Sequence, residues 1–237
     1  MKKTQLTLIL AVLLFHTINA QNIKGFISGG GGLSLPMGNI TKTAYSDLSS
    51  GFSATTGGIY TLDAGYFFHP HFGVGMNLSF GSYKMRNPEA FALAAIEAYE
   101  IEEASVIPGR YNYLNVLPAF YYTTGGSKFA FDIRILAGYQ NLKTPEITVN
   151  LEENSIIQKA GSSGGFAYGA GIAARFPLTS KIGLRLGIDY INSNPDISIK
   201  TEGINNPMDG LRIVEKYNEQ IGMLNASIGI VYQFGTN

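Results

Sequence analysis

The chain has 237 residues, with 17 basic and 17 acidic side chains, 29 glycines, 14 tyrosines, 14 phenylalanines and no cysteine. Disulfides and thiolate metal sites are excluded, and nothing resembles the basic footprint of a nucleic-acid-binding protein. Past the first twenty residues no apolar run approaches the roughly 20 residues of a spanning helix, so a membrane location would demand a closed β-barrel with every edge paired.

Residues 1–20 have the form of a secretory signal. Lys2 and Lys3 precede the apolar stretch Leu6 to Phe15, and Ile18-Asn19-Ala20 places a small residue at the cut. The stretch is too short for an anchor, and with no cysteine after it an acylated N-terminus is excluded. Residues 21–237 then form one domain with a formal charge of −2, since both lysines leave with the signal.

Eight strands are predicted along this domain, at about 25–35, 55–68, 72–83, 111–122, 129–140, 165–176, 181–192 and 220–234. Five show a clear period of two. In 72–80, Phe72, Val74, Met76, Leu78 and Phe80 oppose Gly73, Gly75, Asn77 and Ser79. In 129–139, Phe129, Phe131, Ile133, Ile135, Ala137 and Tyr139 oppose Ala130, Asp132, Arg134, Leu136 and Gly138. The stretches 166–176, 182–190 and 222–234 repeat the pattern, setting bulky residues against Gly, Ala and Ser punctuated by Arg175, Arg185 and Asp189. The first strand is interrupted by Gly29 to Gly32, and the fourth contains Pro118, which has no N–H for the ladder.

Strands of this length match the roughly 9–11 residues needed to cross a bilayer at a tilt. The predicted connections alternate. Residues 69–71, 123–128 and 177–180 are short, whereas 36–54, 84–110, 141–164 and 193–219 are long. Short periplasmic turns and long outer loops are the layout of an outer-membrane barrel, and an even strand count puts both termini in the periplasm. A soluble barrel would bury its bulky face. An eight-stranded barrel has room inside only for side chains, so here the small and polar face must point inward and the bulky one into lipid.

That register sends Asp63, Asp132, Arg134, Arg175, Arg185 and Asp189 into the lumen. A buried charge is costly unless paired, so the expectation is a salt-bridged network that closes the barrel. A selectivity site or proton path is the functional alternative. The equal numbers of each sign offer no ion filter. No catalytic residue, metal ligand set or cofactor site is expected. His69 and His71 lie in a short turn, His16 leaves with the signal, and Glu102-Glu103 and Glu152-Glu153 read as solvated loop charge. Gly29 to Gly32 lacks the Lys-Ser/Thr and the helix of a phosphate loop. In the second long loop, Pro88 to Glu100 has strong helix propensity, with Phe91, Ala94, Ala95 and Ala98 on one face; it predicts a short helix over the barrel mouth.

Gly25-Phe26-Ile27-Ser28-Gly29-Gly30, Gly73-Val74-Gly75, Ala170-Gly171-Ile172 and the closing stretch Asn225 to Phe234 together give residues 21–237 a family likeness. The chain resembles the small outer-membrane β-barrel domain proteins of the Bacteroidota, broadly akin to OmpA-like and PorT-like barrels. The resemblance implies that the aromatic, alternating last strand is read by the outer-membrane assembly machinery; Gly235-Thr236-Asn237 after it departs from the usual form. It also implies either a surface or envelope-structural role, as in OmpA-like barrels, or association with a secretion apparatus, as in PorT-like members. The expectation is an all-β, eight-stranded antiparallel transmembrane barrel in the outer membrane, non-enzymatic, with a closed lumen and a structural or surface-interaction role. Its partners would be outer-membrane lipid and lipopolysaccharide, the assembly machinery, and a protein met through the outer loops. The alternative is a transport or secretion component, as a small pore or an accessory.

Overall fold

The computed structural model describes residues 24–41, 54–89, 92–93, 96–97, 102–126, 128–151, 155–204, 212–218 and 220–235. The secretory signal expected at 1–20 lies outside them, as do Glu152-Glu153 and, in the expected loop helix, Phe91, Ala94, Ala95 and Ala98. The described residues of that segment, Glu89, Ala92, Leu93, Ile96 and Glu97, are helical.

Eight strands close into a barrel: β1 (Gly25–Gly38), β2 (Ala54–Phe67), β3 (Phe72–Met85), β5 (Arg110–Gly126), β6 (Phe129–Lys143), β9 (Ser162–Pro177), β10 (Ile182–Ser193) and β13 (Ile221–Phe234). Five shorter strands, β4 (Ala104–Pro108), β7 (Ile147–Leu151), β8 (Ser155–Lys159), β11 (Asp196–Ile204) and β12 (Arg212–Asn218), form a second sheet. The barrel order is β1-β13-β10-β9-β6-β5-β3-β2. Each barrel strand therefore pairs with the next barrel strand in the chain, and β1 closes the ring against β13 along its whole length. All these pairings are antiparallel, as the period-two reading required.

The two irregular strands have local explanations. Pairing between β5 and β6 joins Val116 to Tyr139 and resumes at Ala119 with Leu136; Pro118 sits in the gap, where no donor is asked of it. Diagonal to it, opposite Leu117, is Gly138, on which a Cβ would lie 3.0 Å from Pro118 Cδ. In β1, a Cβ on Gly30 or Gly32 would lie 2.4 or 1.9 Å from a carbonyl oxygen of β13. The glycine run thus permits a close backbone approach at the seam where the ring closes.

The short turns join β2 to β3, β5 to β6 and β9 to β10. His69 and Phe72 exchange backbone hydrogen bonds of 3.2 Å, and Thr179 Oγ1 accepts from Ile182 N at 2.9 Å. Strand β5 runs on to Gly126, so the turn expected at 123–128 is shorter than its sequence suggests.

At the other end the structure departs from the reading of long loops. The segments 84–110, 141–164 and 193–219 contain all five strands of the second sheet, in the order β12-β11-β8-β7-β4. Each is the continuation of a barrel strand: β4 of β5, β7 of β6, β8 of β9, β11 of β10 and β12 of β13. The wall of the barrel therefore rises on one side as a five-stranded sheet, in which β1, β2 and β3 have no continuation among the described residues. Gly109, Pro145, Gly161 and Pro195 interrupt the strands at the joint, and Gly and Pro are the residues that read as loop in a sequence. The joint is laced sideways: Gly109 N donates to Glu146 O at 2.8 Å, Thr144 N to Gly161 O at 2.9 Å, and Gly161 N to Thr144 Oγ1 at 2.8 Å. Above it, Ile147, Val149 and Leu151 pack with Met85 in a small apolar core, joined by Ala104, Val106 and Ile156.

Candidate functional site in the barrel lumen

The inward positions of one strand show how the lumen is layered. Down β5 from the raised sheet they are Tyr111, Tyr113, Asn115, Leu117, Ala119, Tyr121 and Thr123, all buried. At the top, Tyr83 and Tyr113 stack with centroids 5.1 Å apart, and Ile40, from the 3-10 turn after β1, belongs to the same core. Below lies a neutral polar layer. Gln140 Nε2 donates to Asn115 Oδ1 at 2.8 Å and Asn115 Nδ2 to Ser79 Oγ at 3.0 Å. Ser193 Oγ donates to Gln140 Oε1. Ser34 Oγ donates to Asn225 Oδ1 at 2.5 Å and pairs with the Tyr83 hydroxyl at 2.7 Å.

The six charged residues assigned inward by register are all buried in the lumen, and they form two groups. In the first, Arg134 holds Asp189 in a bidentate fork, Nε to Oδ1 at 2.7 Å and Nη2 to Oδ2 at 2.6 Å, and turns Nη1 to Asp63. Arg185 Nη1 reaches the other Asp63 oxygen at 2.8 Å, and Asn77 Nδ2 donates to Asp63 Oδ1 at 2.8 Å. In the second, Arg175 grips Asp132, Nε to Oδ2 at 2.8 Å and Nη2 to Oδ1 at 2.7 Å, and also reaches Thr123 Oγ1 at 3.1 Å. The rigid fork of arginine suits this planar pairing. Nearest the short turns the lumen is aromatic: Phe26 packs edge-on to Tyr121 at 5.6 Å and beside Phe67 at 6.0 Å, with Arg175 over both Phe rings.

The polar partners Asn77, Asn115, Gln140, Asn225 and Ser34 were not singled out from sequence. Asn77 and Asn225 sit on the inward face by the same alternation that placed the arginines, so that alternation carried the signal. Of the other residues considered, His69 and His71 stay in the β2–β3 turn, where His71 Nδ1 lies 3.0 Å from Thr123 O. Among the described residues no group of three or more His, Cys, Asp or Glu could hold a metal ion.

Outside, the bulky face forms a continuous apolar band. Ile135 and Ile230 are 65% exposed, and Leu33, Ile172 and Ile188 are exposed beside them. Aromatic pairs flank the band, with Phe72 against Tyr122 and Phe129 against Phe176 near the short turns. Tyr60 stacks on Phe80, and Phe166 on Tyr168, toward the other end. Such a patch far exceeds what a soluble monomer exposes; in hydrocarbon it is solvated, and aromatic girdles mark the interfaces.

Known proteins match this architecture. The chain is similar in fold to a major outer membrane protein from Thermus thermophilus, with 14% identity over 89% of this chain and 99% of that one and a TM-score of 0.53. Ail, the attachment invasion locus protein of Yersinia pestis, matches at 15% identity over 90% of this chain and 99% of its own, with a TM-score of 0.44. Neisserial surface protein A matches at 10% identity over 89% and 97%, also at 0.44. No curated protein sequence matches the chain. Residues 7–234 fit the family described as outer membrane protein beta-barrel domain, and with a closed eight-stranded ring and a lipid-ready exterior the chain belongs to that family.

Proposed function

We propose that this protein is a non-conducting outer-membrane barrel that holds a raised β-sheet at the cell surface for contact with another protein. The supporting observation is the contrast in closure along its axis. Between the short turns and the mouth, charged, amide and tyrosine layers fill an interior that eight strands make only wide enough for side chains. Above the mouth, the second sheet has two edge strands, β4 and β12, each with a single neighbour among the described residues. An unpaired edge offers backbone donors and acceptors to an extended segment of a partner.

In this reading residues 1–20 are removed as a secretory signal and both termini lie in the periplasm. The apolar band meets lipid and lipopolysaccharide, and the assembly machinery reads the aromatic last strand. A PorT-like accessory role in a secretion apparatus draws on the same open edges, since an accessory also needs a docking edge, and co-purification of secretion components would favour it. The small-pore alternative has no comparable support.

Two measurements test the proposal together. In planar bilayers the purified barrel should show no steady conducting state; a stable single-channel conductance overturns the closed lumen. Because the chain has no cysteine, Ile107→Cys on β4 should react with a membrane-impermeant maleimide on intact cells, whereas Ser180→Cys in a short turn should not. The reverse pattern overturns the surface assignment.

A further inference from the structure

Two lumen arginines keep unused donors. Arg175 Nη1 has no hydrogen-bond partner among the described residues, nor have Arg185 Nε and Nη2. The two residues face each other directly across β9 and β10. Both guanidinium groups lie over one ring, with Cζ 4.9 and 5.9 Å from the Phe26 centroid. Gln233, the cross-strand partner of Phe26, adds an unused Nε2. Arg175, Arg185 and Gln233 are each at most 3% exposed.

The unused atoms of Arg175, Arg185 and Gln233 are all donors; the Tyr121 hydroxyl against Phe26, which can donate or accept, and Asn77 Oδ1 beside Asp63 also have no partner among the described residues. A guanidinium accepts nothing, and the nearby carboxylates are already engaged. Both Asp132 oxygens take Arg175, and the Asp63 oxygens take Arg134, Asn77 and Arg185. Two like charges directly opposite on paired strands also repel. A bridging water would answer the donors but bring two hydrogens of its own into a place with no idle carboxylate. An anion brings acceptor capacity alone and sets a negative charge between the two positive ones. Space limits its size, because Phe26, Phe67 and Tyr121 already pack together here, with the Phe67 and Tyr121 centroids 6.3 Å apart.

The geometry points to a buried site for a small monovalent inorganic anion of halide size, held between Arg175 and Arg185 with Gln233 contributing. The anion is a structural ligand of the folded barrel. It needs no permeation path, so the site stands or falls separately from the conductance result.

The test uses the full barrel, purified in detergent and crystallised with sodium bromide replacing chloride. Anomalous scattering at the bromine edge should show a peak within hydrogen-bond reach of Arg175 Nη1 and the free Arg185 nitrogens. A water without anomalous signal at that place, or bromide confined to the outer surface, overturns the site. In solution, the heat-modifiable band should unfold a few degrees higher in sodium chloride than in sodium gluconate of equal ionic strength. Equal midpoints overturn the proposal. The difference should vanish in Arg185→Gln and shrink in Gln233→Met, which leaves every ion pair intact and guards against a folding failure of the first variant. A chloride effect undiminished in both variants also overturns it.

Discussion

The barrel and the raised sheet are made from the same continuous strands, yet they turn opposite faces to their surroundings. In β6 the residues that alternate outward from Phe129 to Tyr139 are apolar, with Ile135 65% exposed, while Asp132 and Arg134 are inside. A few residues further on, in β7, Ile147 is only 2% exposed and packs with the lumen-side Met85. The passage from β10 to β11 repeats the change: Ile188 is exposed in the wall and Ile197 is buried just beyond it. The strand has not changed; its solvent has. Lipid accepts isoleucine on the outside and leaves polar groups to pair within, whereas above the membrane water reverses the preference. The joint at Gly109, Pro145, Gly161 and Pro195 marks where one rule gives way to the other.

The largest expected effect lies in the lumen. Asp63→Leu leaves Arg185 and one arm of Arg134 without their carboxylate, and removing one partner of a buried pair costs about 3–5 kcal/mol. Urea unfolding of the barrel in lipid should show that loss. A change below about 1 kcal/mol would mean that water or other groups replace Asp63, and that the lumen is wetter than its packing implies. The next test places one charge on each side of the joint. Ile135→Arg, near the middle of a lipid-facing strand, should destabilise by about 2–4 kcal/mol. Ile107→Arg, equally exposed on β4, should stay within about 0.5 kcal/mol. Similar costs at both positions would erase the boundary at the joint. The smallest effect belongs to the core of the raised sheet. Ile147→Val should cost about 0.5–1.5 kcal/mol, read as faster hydrogen exchange in β7 and β8 with the barrel strands unchanged. Equal acceleration in β6 would show that sheet and barrel open as one unit.

Much of the barrel is legible in the sequence alone. Residues 72–80 and 129–139 alternate so regularly that which face carries Asn77, Asp132 and Arg134 follows from counting. Inside and outside then follow from how little an eight-stranded barrel can hold. The raised sheet was harder to see. Ile147-Thr148-Val149-Asn150-Leu151 does alternate, but over five residues beside Pro145, and it shows the inverted polarity of a strand that has left the membrane. A short run of that kind has no unique reading in isolation.

The pairing of the lumen charges could not be read at all. By itself the sequence determined that three aspartates and three arginines point inward, because a period of two decides the face and nothing more. Only the closed ring decided that Asp63 serves two arginines. Strand β2 lies three places from β6 one way round the barrel and three places from β10 the other way. Arg134 and Arg185, 71 and 122 residues away in the chain, therefore converge on one carboxylate across the lumen. The raised sheet has the same origin: its order β12-β11-β8-β7-β4 repeats the order of the wall beneath it, since each strand climbs from a position that barrel closure had already assigned.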